Sequence, residues 1–215
     1  MDYRTYVVEA GRKMLERKLT VETWGNISAR DPETGFVYLT PSAMPYQLLQ
    51  EKDIVVLRPD GSLAGGTRKP TIETAMHLGI YQSRPEIRAI IHTHPIYSQV
   101  FATLRREIPP IIDEAAQILG GTVYPAEYAL PGTPELAANA VKTLGSDRMA
   151  CLLANHGAVC LGETMDQAFT VCTVLEMTAQ IYQMALAIGE PRTIRPEDVV
   201  FMKEFVKNHY GQDKD

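Results

Sequence analysis

The chain has few cysteines and no cluster of basic residues, and each shortage excludes a class of function. Its three cysteines lie in apolar runs without a close CxxC pair, at Cys151, Cys160 and Cys172. This pattern is typical of buried thiols and excludes a disulfide framework or a redox pair. Lysine and arginine are scattered and the formal net charge is -5, which offers no binding surface to polyanions. We therefore expect neither a nucleic acid nor a membrane as partner.

Long apolar segments and targeting signals are also missing. No stretch approaches the roughly 18 uninterrupted apolar residues typical of a membrane span, and Asp2 stands where a secretory signal carries basic residues. Internal repeats are absent, and no change in composition marks a boundary between domains. We expect a cytoplasmic protein in which residues 1–215 form a single domain.

The spacing of apolar residues predicts helices and strands along the whole chain. Helices are predicted over residues 3–18, 71–83, 133–145, 164–189 and 197–208, with a further helix after Pro95. Strands are predicted over residues 26–30, 36–40, 54–58, 87–94, 150–154 and 158–161, with a hairpin turn at Asp60 and Gly61. This alternation predicts an α/β fold, a three-layer α/β/α single domain with a largely antiparallel central sheet.

Histidines at the ends of two apolar strands form the strongest chemical signal. His92 and His94 are one residue apart, so on a strand they project from the same face and can share one metal ion. A catalytic zinc ion usually takes three protein ligands and keeps one open position. His156 ends another apolar strand before Gly157 and is the candidate third ligand. Taken alone, it would be interpreted as an exposed turn histidine.

Glu73 allows two interpretations. It lies in the first turn of a helix that Thr71 is predicted to cap, where the helix dipole favours a carboxylate without any catalytic role. Alternatively, Glu73 enters the metal shell and acts as a base once substrate binds. His77 follows one turn later and is predicted to lie on the helix surface or beside the ligands.

Three polar turns rich in small residues are candidates for anion binding. They span residues 24–28, 40–43 and 69–72. Exposed backbone N–H groups at such turns, and at the start of a helix, bind anions. Each turn alone is typical of an ordinary cap or loop, but together they could hold a phosphate.

In their order and spacing, these motifs resemble the class II aldolase/adducin superfamily, and within it the fuculose-1-phosphate aldolase-like zinc enzymes. The matching segments are Gly25-Asn26-Ile27-Ser28, Leu39-Thr40-Pro41-Ser42, Lys69-Pro70 leading to Glu73, Gln82-Ser83-Arg84-Pro85, His92-Thr93-His94, Gly132-Thr133 with Glu135-Leu136, and His156-Gly157. The resemblance implies one Zn²⁺ per subunit, bound by His92, His94 and His156. It also implies that Glu73 alternates between metal ligand and acid/base.

The resemblance extends to substrate binding and assembly. It implies a phosphate site formed by Gly25, Asn26, Ser42, Ala43, Thr71 and Ile72. It further implies a catalytic role for Tyr210, in a C-terminal tail that reaches the active site. The expected assembly is a homotetramer with sites at subunit interfaces.

Two segments depart from the family pattern. Asp113, followed by Glu114, stands where fuculose-phosphate aldolases have a tyrosine that protonates the aldehyde oxygen. A carboxylic acid can deliver that proton if burial raises its pKa, and related methylthioribulose-1-phosphate dehydratases use a glutamate in this neighbourhood. Thr71 and Ile72 replace the usual pair of serines at the phosphate site.

The leading functional hypothesis is a zinc-dependent aldolase, a lyase. It would reversibly cleave a ketose 1-phosphate of the fuculose, deoxyribulose or methylthioribulose type to dihydroxyacetone phosphate and an aldehyde, through a metal-stabilised enediolate. Glu73 would reprotonate the enediolate carbon, and Asp113 or Glu114, assisted by Tyr210, would serve as the second acid/base. The enzymatic alternative is a dehydratase, epimerase or decarboxylase acting on a sugar phosphate or sugar acid. A non-catalytic scaffold like the adducin head domain is the other alternative.

Overall fold

The computed structural model describes residues 2–209 and contains one central sheet of eight strands. The strands are β1 Asn26–Arg30, β2 Val37–Leu39, β3 Val55–Leu57, β4 Leu63–Gly65, β5 Ala89–Thr93, β6 Pro125–Ala126, β7 Ala150–Leu153 and β8 Gly157–Gly162. Their order across the sheet is β4-β3-β2-β1-β5-β8-β7-β6. Every neighbouring pair is antiparallel except β6 and β7, which are parallel. The predicted, largely antiparallel sheet is therefore confirmed.

Helices cover both faces of this sheet. They are α1 Tyr3–Glu16, α2 Thr74–Ser83, α3 Ile96–Leu104, α4 Pro134–Leu144, α5 Met165–Ile188 and α6 Pro196–His209, with short helical turns at Tyr46–Leu48, Glu51–Asp53 and Ala115–Leu119. One apolar cluster joins α1, α3 and α5 to the sheet, and a second joins α2 and α4 to it. Along β5, Ile91 belongs to the first cluster and Ile90 to the second, as the alternation of a strand requires. The three-layer prediction is confirmed.

Helix α5 supplies the longest apolar surface. Among residues 2–209 it is the one helix long and apolar enough to cross a membrane by length and composition alone. Its buried residues, including Phe169, Cys172 and Leu175, lie in the apolar cluster that also contains strand residues of β5 and β8. The apolar character of α5 is thus accounted for by packing on the sheet. Cys151, Cys160 and Cys172 are all buried and free, as predicted.

The start of α2 differs from the prediction. Thr71 lies two residues before Glu73, the N-cap residue, and so does not cap the helix. Its hydroxyl accepts a 3.4 Å hydrogen bond from the backbone N–H of Glu73, and its carbonyl oxygen accepts from the backbone N–H and the hydroxyl of Thr74, which closes a tight turn before the helix. The helix begins at Thr74, and Glu73 occupies the capping position without using its side chain as a cap. The Glu73 carboxylate is therefore available for other contacts.

Candidate metal centre

Three neighbouring parts of the sheet bring the histidines together. His92 lies on β5, where it is paired with Asn26 of β1 on one side and with Val159 of β8 on the other. His94 follows the end of β5, and His156 lies in the turn that joins β7 to β8. The ring centroid of His92 is 4.7 Å from those of His94 and His156. The structure thus brings the predicted ligands together.

The orientation of the rings suits a divalent metal ion. His92 Nδ1 lies 2.9 Å from the carbonyl oxygen of Ala158, so Nδ1 carries the hydrogen and Nε2 presents its lone pair. His94 Nε2 lies 2.9 Å from His92 Nε2, and the candidate ligand atoms of the three histidines are all within 4.8 Å of one another. Three converging imidazole nitrogens are a donor set that zinc and other borderline metals favour.

Glu73 completes the group. Its Oε2 lies 3.1 Å from His92 Nε2 and accepts a 2.8 Å hydrogen bond from Asn26 Nδ2, while its Oε1 lies 3.4 Å from His156 Nε2. The residue is 4% exposed, and among residues 2–209 Oε1 has no hydrogen-bond partner. Leaving a buried carboxylate oxygen unpartnered is costly. A bound cation or substrate would satisfy it, whereas a purely dipolar role of Glu73 does not account for its position.

Burial keeps the three ligand histidines neutral, the form that binds metal. It lowers the pKa of His92 and of His156 to about 4 and that of His94 to about 3. An imidazolium in this low-dielectric site would lose its hydration without gaining a sufficient counter-charge. The centre is therefore ready to bind a cation at neutral pH.

We predict that the metal-depleted protein loses stability as the pH falls from about 7 to about 5.5. The folded pKa values of His92, His94, His156 and also His77, about 3, lie below the unfolded value, so the unfolded chain binds more protons in this window. The stabilisation is complete above the unfolded pKa of about 6.5 and declines by up to about 1.4 kcal/mol per pH unit for each histidine. Urea unfolding at the two pH values measures this. An unchanged free energy of unfolding would contradict the prediction.

Gly157 allows the close approach of β5 and β8 at the metal centre. A Cβ atom there would lie 2.3 Å from the carbonyl oxygen of Thr93 and 3.2 Å from His92 Cε1. We predict that Gly157→Ala lowers the free energy of unfolding by about 1–3 kcal/mol and weakens metal binding. Gly189→Ala is the matched control, because a Cβ there meets nothing within 4 Å. Equal effects of the two substitutions on unfolding and metal binding would refute this account.

A cavity of about 370 Å³ opens beside the histidines. Its lining includes all six residues predicted to bind phosphate, namely Gly25, Asn26, Ser42, Ala43, Thr71 and Ile72. The turns at 40–43 and 69–72 adjoin each other through a bridge between Pro41 and Pro70. Gly25 has a φ of +74°, and a Cβ there would lie 2.5 Å from the carbonyl oxygen of His92, so glycine is required. The structure places the anion candidates next to the metal ligands.

The candidates for the second acid/base lie elsewhere. Asp113 and Glu114 are exposed and precede the helical turn Ala115–Leu119. Within the described part of the chain, neither residue lines the cavity. The catalytic role of these two residues therefore stays a prediction. Tyr210 lies outside the described residues.

Sequence reasoning overlooked or misplaced some residues of the site. His77 is 0% exposed and contacts Asn26, so the prediction of a surface position is wrong and the alternative beside the ligands is confirmed.

Trp24 lines the cavity and is 59% exposed. The centroid of its ring lies 6.3 Å from that of His94. Its place next to Gly25 in the polar turn was the available signal. Pro131 also lines the cavity, and no sequence signal marked it.

Comparison with known proteins identifies the family of this chain. The family model of the class II aldolase and adducin N-terminal domain matches residues 5–183. The chain belongs to this family. It is 40% identical, over 97% of each chain, to 5-deoxy-D-ribulose 1-phosphate aldolase from Bacillus thuringiensis. It is 32% identical to 5-methylthioribulose-1-phosphate/5-deoxyribulose-1-phosphate aldolase from Rhodospirillum rubrum, over 94% of this chain and 90% of that protein.

A solved structure shows the same fold as this chain. An L-fuculose 1-phosphate aldolase matches with a TM-score of 0.93 and 39% identity, over 96% of each chain. The predicted family, the fold class and the lyase activity of a class II aldolase are thereby confirmed. The scaffold alternative has no such support among these relatives, all of which are named as aldolases.

Proposed function

We propose that the protein is a zinc-dependent aldolase that reversibly cleaves a ketose 1-phosphate to dihydroxyacetone phosphate and an aldehyde. One observation carries the proposal: the histidines and Glu73 lie at a cavity whose wall includes all six phosphate candidates. A substrate bound there would have its phosphate and its reacting carbonyl held at the same time. The sugar phosphates in the names of the relatives support this substrate class.

His92, His94 and His156 would hold the metal ion. A divalent cation held by these residues would supply Lewis-acid stabilisation of negative charge on the substrate oxygens. The turns at 25–26, 42–43 and 71–72 would orient the phosphate through backbone N–H groups and hydroxyls. Glu73 would carry the proton of the enediolate carbon on Oε1, the oxygen that has no hydrogen-bond partner among residues 2–209.

In the cleavage direction, a second group must accept the proton of the substrate hydroxyl whose oxygen becomes the aldehyde oxygen. Asp113, Glu114 and Tyr210 are the proposed candidates, acting in a homotetramer with sites at subunit interfaces. Such an assembly is part of the proposal because the two carboxylates do not line the cavity of their own chain within the described residues. We further propose a cytoplasmic location, in keeping with metabolic relatives that act on sugar phosphates.

An activity panel tests the proposal. The purified protein, with its metal content measured, is offered fuculose, ribulose, deoxyribulose and methylthioribulose 1-phosphates beside their unphosphorylated forms, and products are identified by mass. Two carbon fragments from a phosphorylated substrate, lost on chelation and restored by Zn²⁺, are expected. Loss of water, inversion at one carbon or release of carbon dioxide would instead identify a dehydratase, epimerase or decarboxylase. Equal turnover of the unphosphorylated sugars would overturn the phosphate assignment.

A further inference from the structure

We infer that His77 is a positioning residue for Glu73, acting through the side chain of Asn26 and backed by Ser28 and Tyr81. These four residues are called the His77 network below. The inference rests on the proposed role of Glu73 as a proton carrier. It gives a functional role to His77, a histidine that lies close to the metal centre but is not one of the three candidate ligands.

The side chains form a continuous chain of hydrogen bonds from Glu73 to Tyr81. Asn26 Nδ2 lies 2.8 Å from Glu73 Oε2, and Asn26 Oδ1 lies 2.5 Å from His77 Nε2. His77 Nδ1 lies 2.7 Å from Ser28 Oγ, which lies 2.8 Å from the hydroxyl of Tyr81. All five residues are buried, and Asn26 and Glu73 are the two that line the cavity.

This hydrogen-bond chain follows from the spacing of its residues along α2 and β1. Glu73, His77 and Tyr81 are four residues apart at the start of and along α2, so they lie on one helix face. Asn26 and Ser28 are two residues apart on β1, so both project from one face of the sheet. The network is therefore the contact between one face of α2 and one face of β1.

The chemistry of the groups fixes the position of each hydrogen. The Glu73 carboxylate only accepts, so Asn26 must turn its NH₂ towards it and its oxygen towards His77. The amide oxygen also only accepts, so His77 carries its hydrogen on Nε2. Because the buried ring is neutral, Nδ1 accepts from the Ser28 hydroxyl. The Tyr81 hydroxyl then donates to Ser28 Oγ, which is 2.8 Å away, in preference to the carbonyl oxygen of Arg88 at 3.4 Å. Every donor points towards Glu73.

The consequence is a fixed choice between the two oxygens of Glu73. A flip of the Asn26 amide would set its oxygen against the carboxylate and its NH₂ against the Nε2–H of His77, breaking two buried hydrogen bonds. The network thus holds Oε2 in a hydrogen bond and leaves Oε1 facing His156 for proton transfer.

The first test determines which ring nitrogen of His77 carries the hydrogen. Proton–nitrogen correlation spectra of the imidazole rings in the intact protein are expected to show neutral His77 with its hydrogen on Nε2. Assignment uses the His77→Gln variant, in which that signal disappears. A hydrogen on Nδ1 would overturn the inference, because Asn26 could then not present its NH₂ to Glu73.

The second test is kinetic. His77→Leu removes both ring contacts and is expected to lower kcat about 10- to 100-fold, the usual effect of losing a partner of an active-site group, with KM changed less than kcat. His77→Gln keeps a donor and an acceptor and is expected to recover part of kcat. Tyr81→Phe should have a smaller effect of the same kind. Tyr6→Phe is the matched control, because the Tyr6 hydroxyl accepts a hydrogen bond from the backbone N–H of Met165 at α5 and, among residues 2–209, does not line the cavity.

A Glu73→Gln background separates positioning from general destabilisation. If the network acts through Glu73, adding His77→Leu to this background should cause little further loss of kcat. Full additivity, or a loss confined to KM, would overturn the inference. A wild-type protein that cleaves no sugar phosphate would refute the proposed function, whereas the ring tautomer would still test the network.

Discussion

Replacing Glu73 by glutamine is expected to lower kcat by about two to four orders of magnitude, the usual contribution of general acid–base catalysis. Glutamine keeps the size of the side chain and can still accept from Asn26, but it cannot carry the proton of the enediolate carbon. The three histidines remain, so the metal content should stay close to that of the wild type. Steady-state kinetics and metal analysis on the same preparation measure both effects.

The matched control is Glu33→Gln, which changes an exposed carboxylate in the turn between β1 and β2. It should leave kcat unaltered. Full lyase turnover by a zinc-loaded Glu73→Gln protein would remove Glu73 as the proposed base. Loss of the metal in that variant would instead assign Glu73 a lasting ligand role.

The second large effect is expected from His92→Ala. Removing this ligand should weaken metal binding by more than the about 10- to 100-fold that the loss of a partner of a ligand costs, and activity should fall with it. His92 is the ligand most firmly oriented, because its Nδ1 donates to the carbonyl of Ala158 in the middle of the sheet. Competition with a chromophoric chelator measures the affinity.

Wild-type protein stripped by a chelator provides the comparison for His92→Ala. It should lose activity to a similar extent and regain it when Zn²⁺ is returned, whereas the variant should regain little at the same metal concentration. A His92→Ala protein with wild-type metal affinity would exclude His92 as a ligand. The prediction concerns the metal-loaded state and does not depend on the identity of the sugar.

Sequence patterns predicted the parts of the site that are formed by residues close together in the chain. Strand alternation predicted the pairing of His92 with His94, and turn composition predicted the anion candidates around Gly25 and Ser42. The carboxylate of Glu73 was placed correctly near the histidines, although the predicted cap at Thr71 was wrong because a tight turn over residues 71–74 precedes the helix and Glu73 is its N-cap residue.

What the sequence could not predict depends on contacts between distant elements. His77 is buried only because α2 lies against β1, and a single helix pattern does not specify its partner. The cavity position of Pro131 likewise depends on the approach of the segment before α4 to Ile72, since a Cβ at Gly132 would lie 3.1 Å from the carbonyl oxygen of Ile72. The second acid/base stays a prediction for the same reason, since exposed Asp113 and Glu114 would need a neighbouring subunit to reach a cavity.

The position of β5 between β1 and β8 has a consequence for the order of events during synthesis. A chain leaving the ribosome exposes His92 and His94 while His156 and β8 have not yet been made. The early pair alone offers two ligands, and its strand still lacks one neighbour. Since closing contacts between distant segments is slow relative to local folding, the complete metal centre forms only after the C-terminal half has docked. The full set of three histidine side chains therefore exists only after this docking.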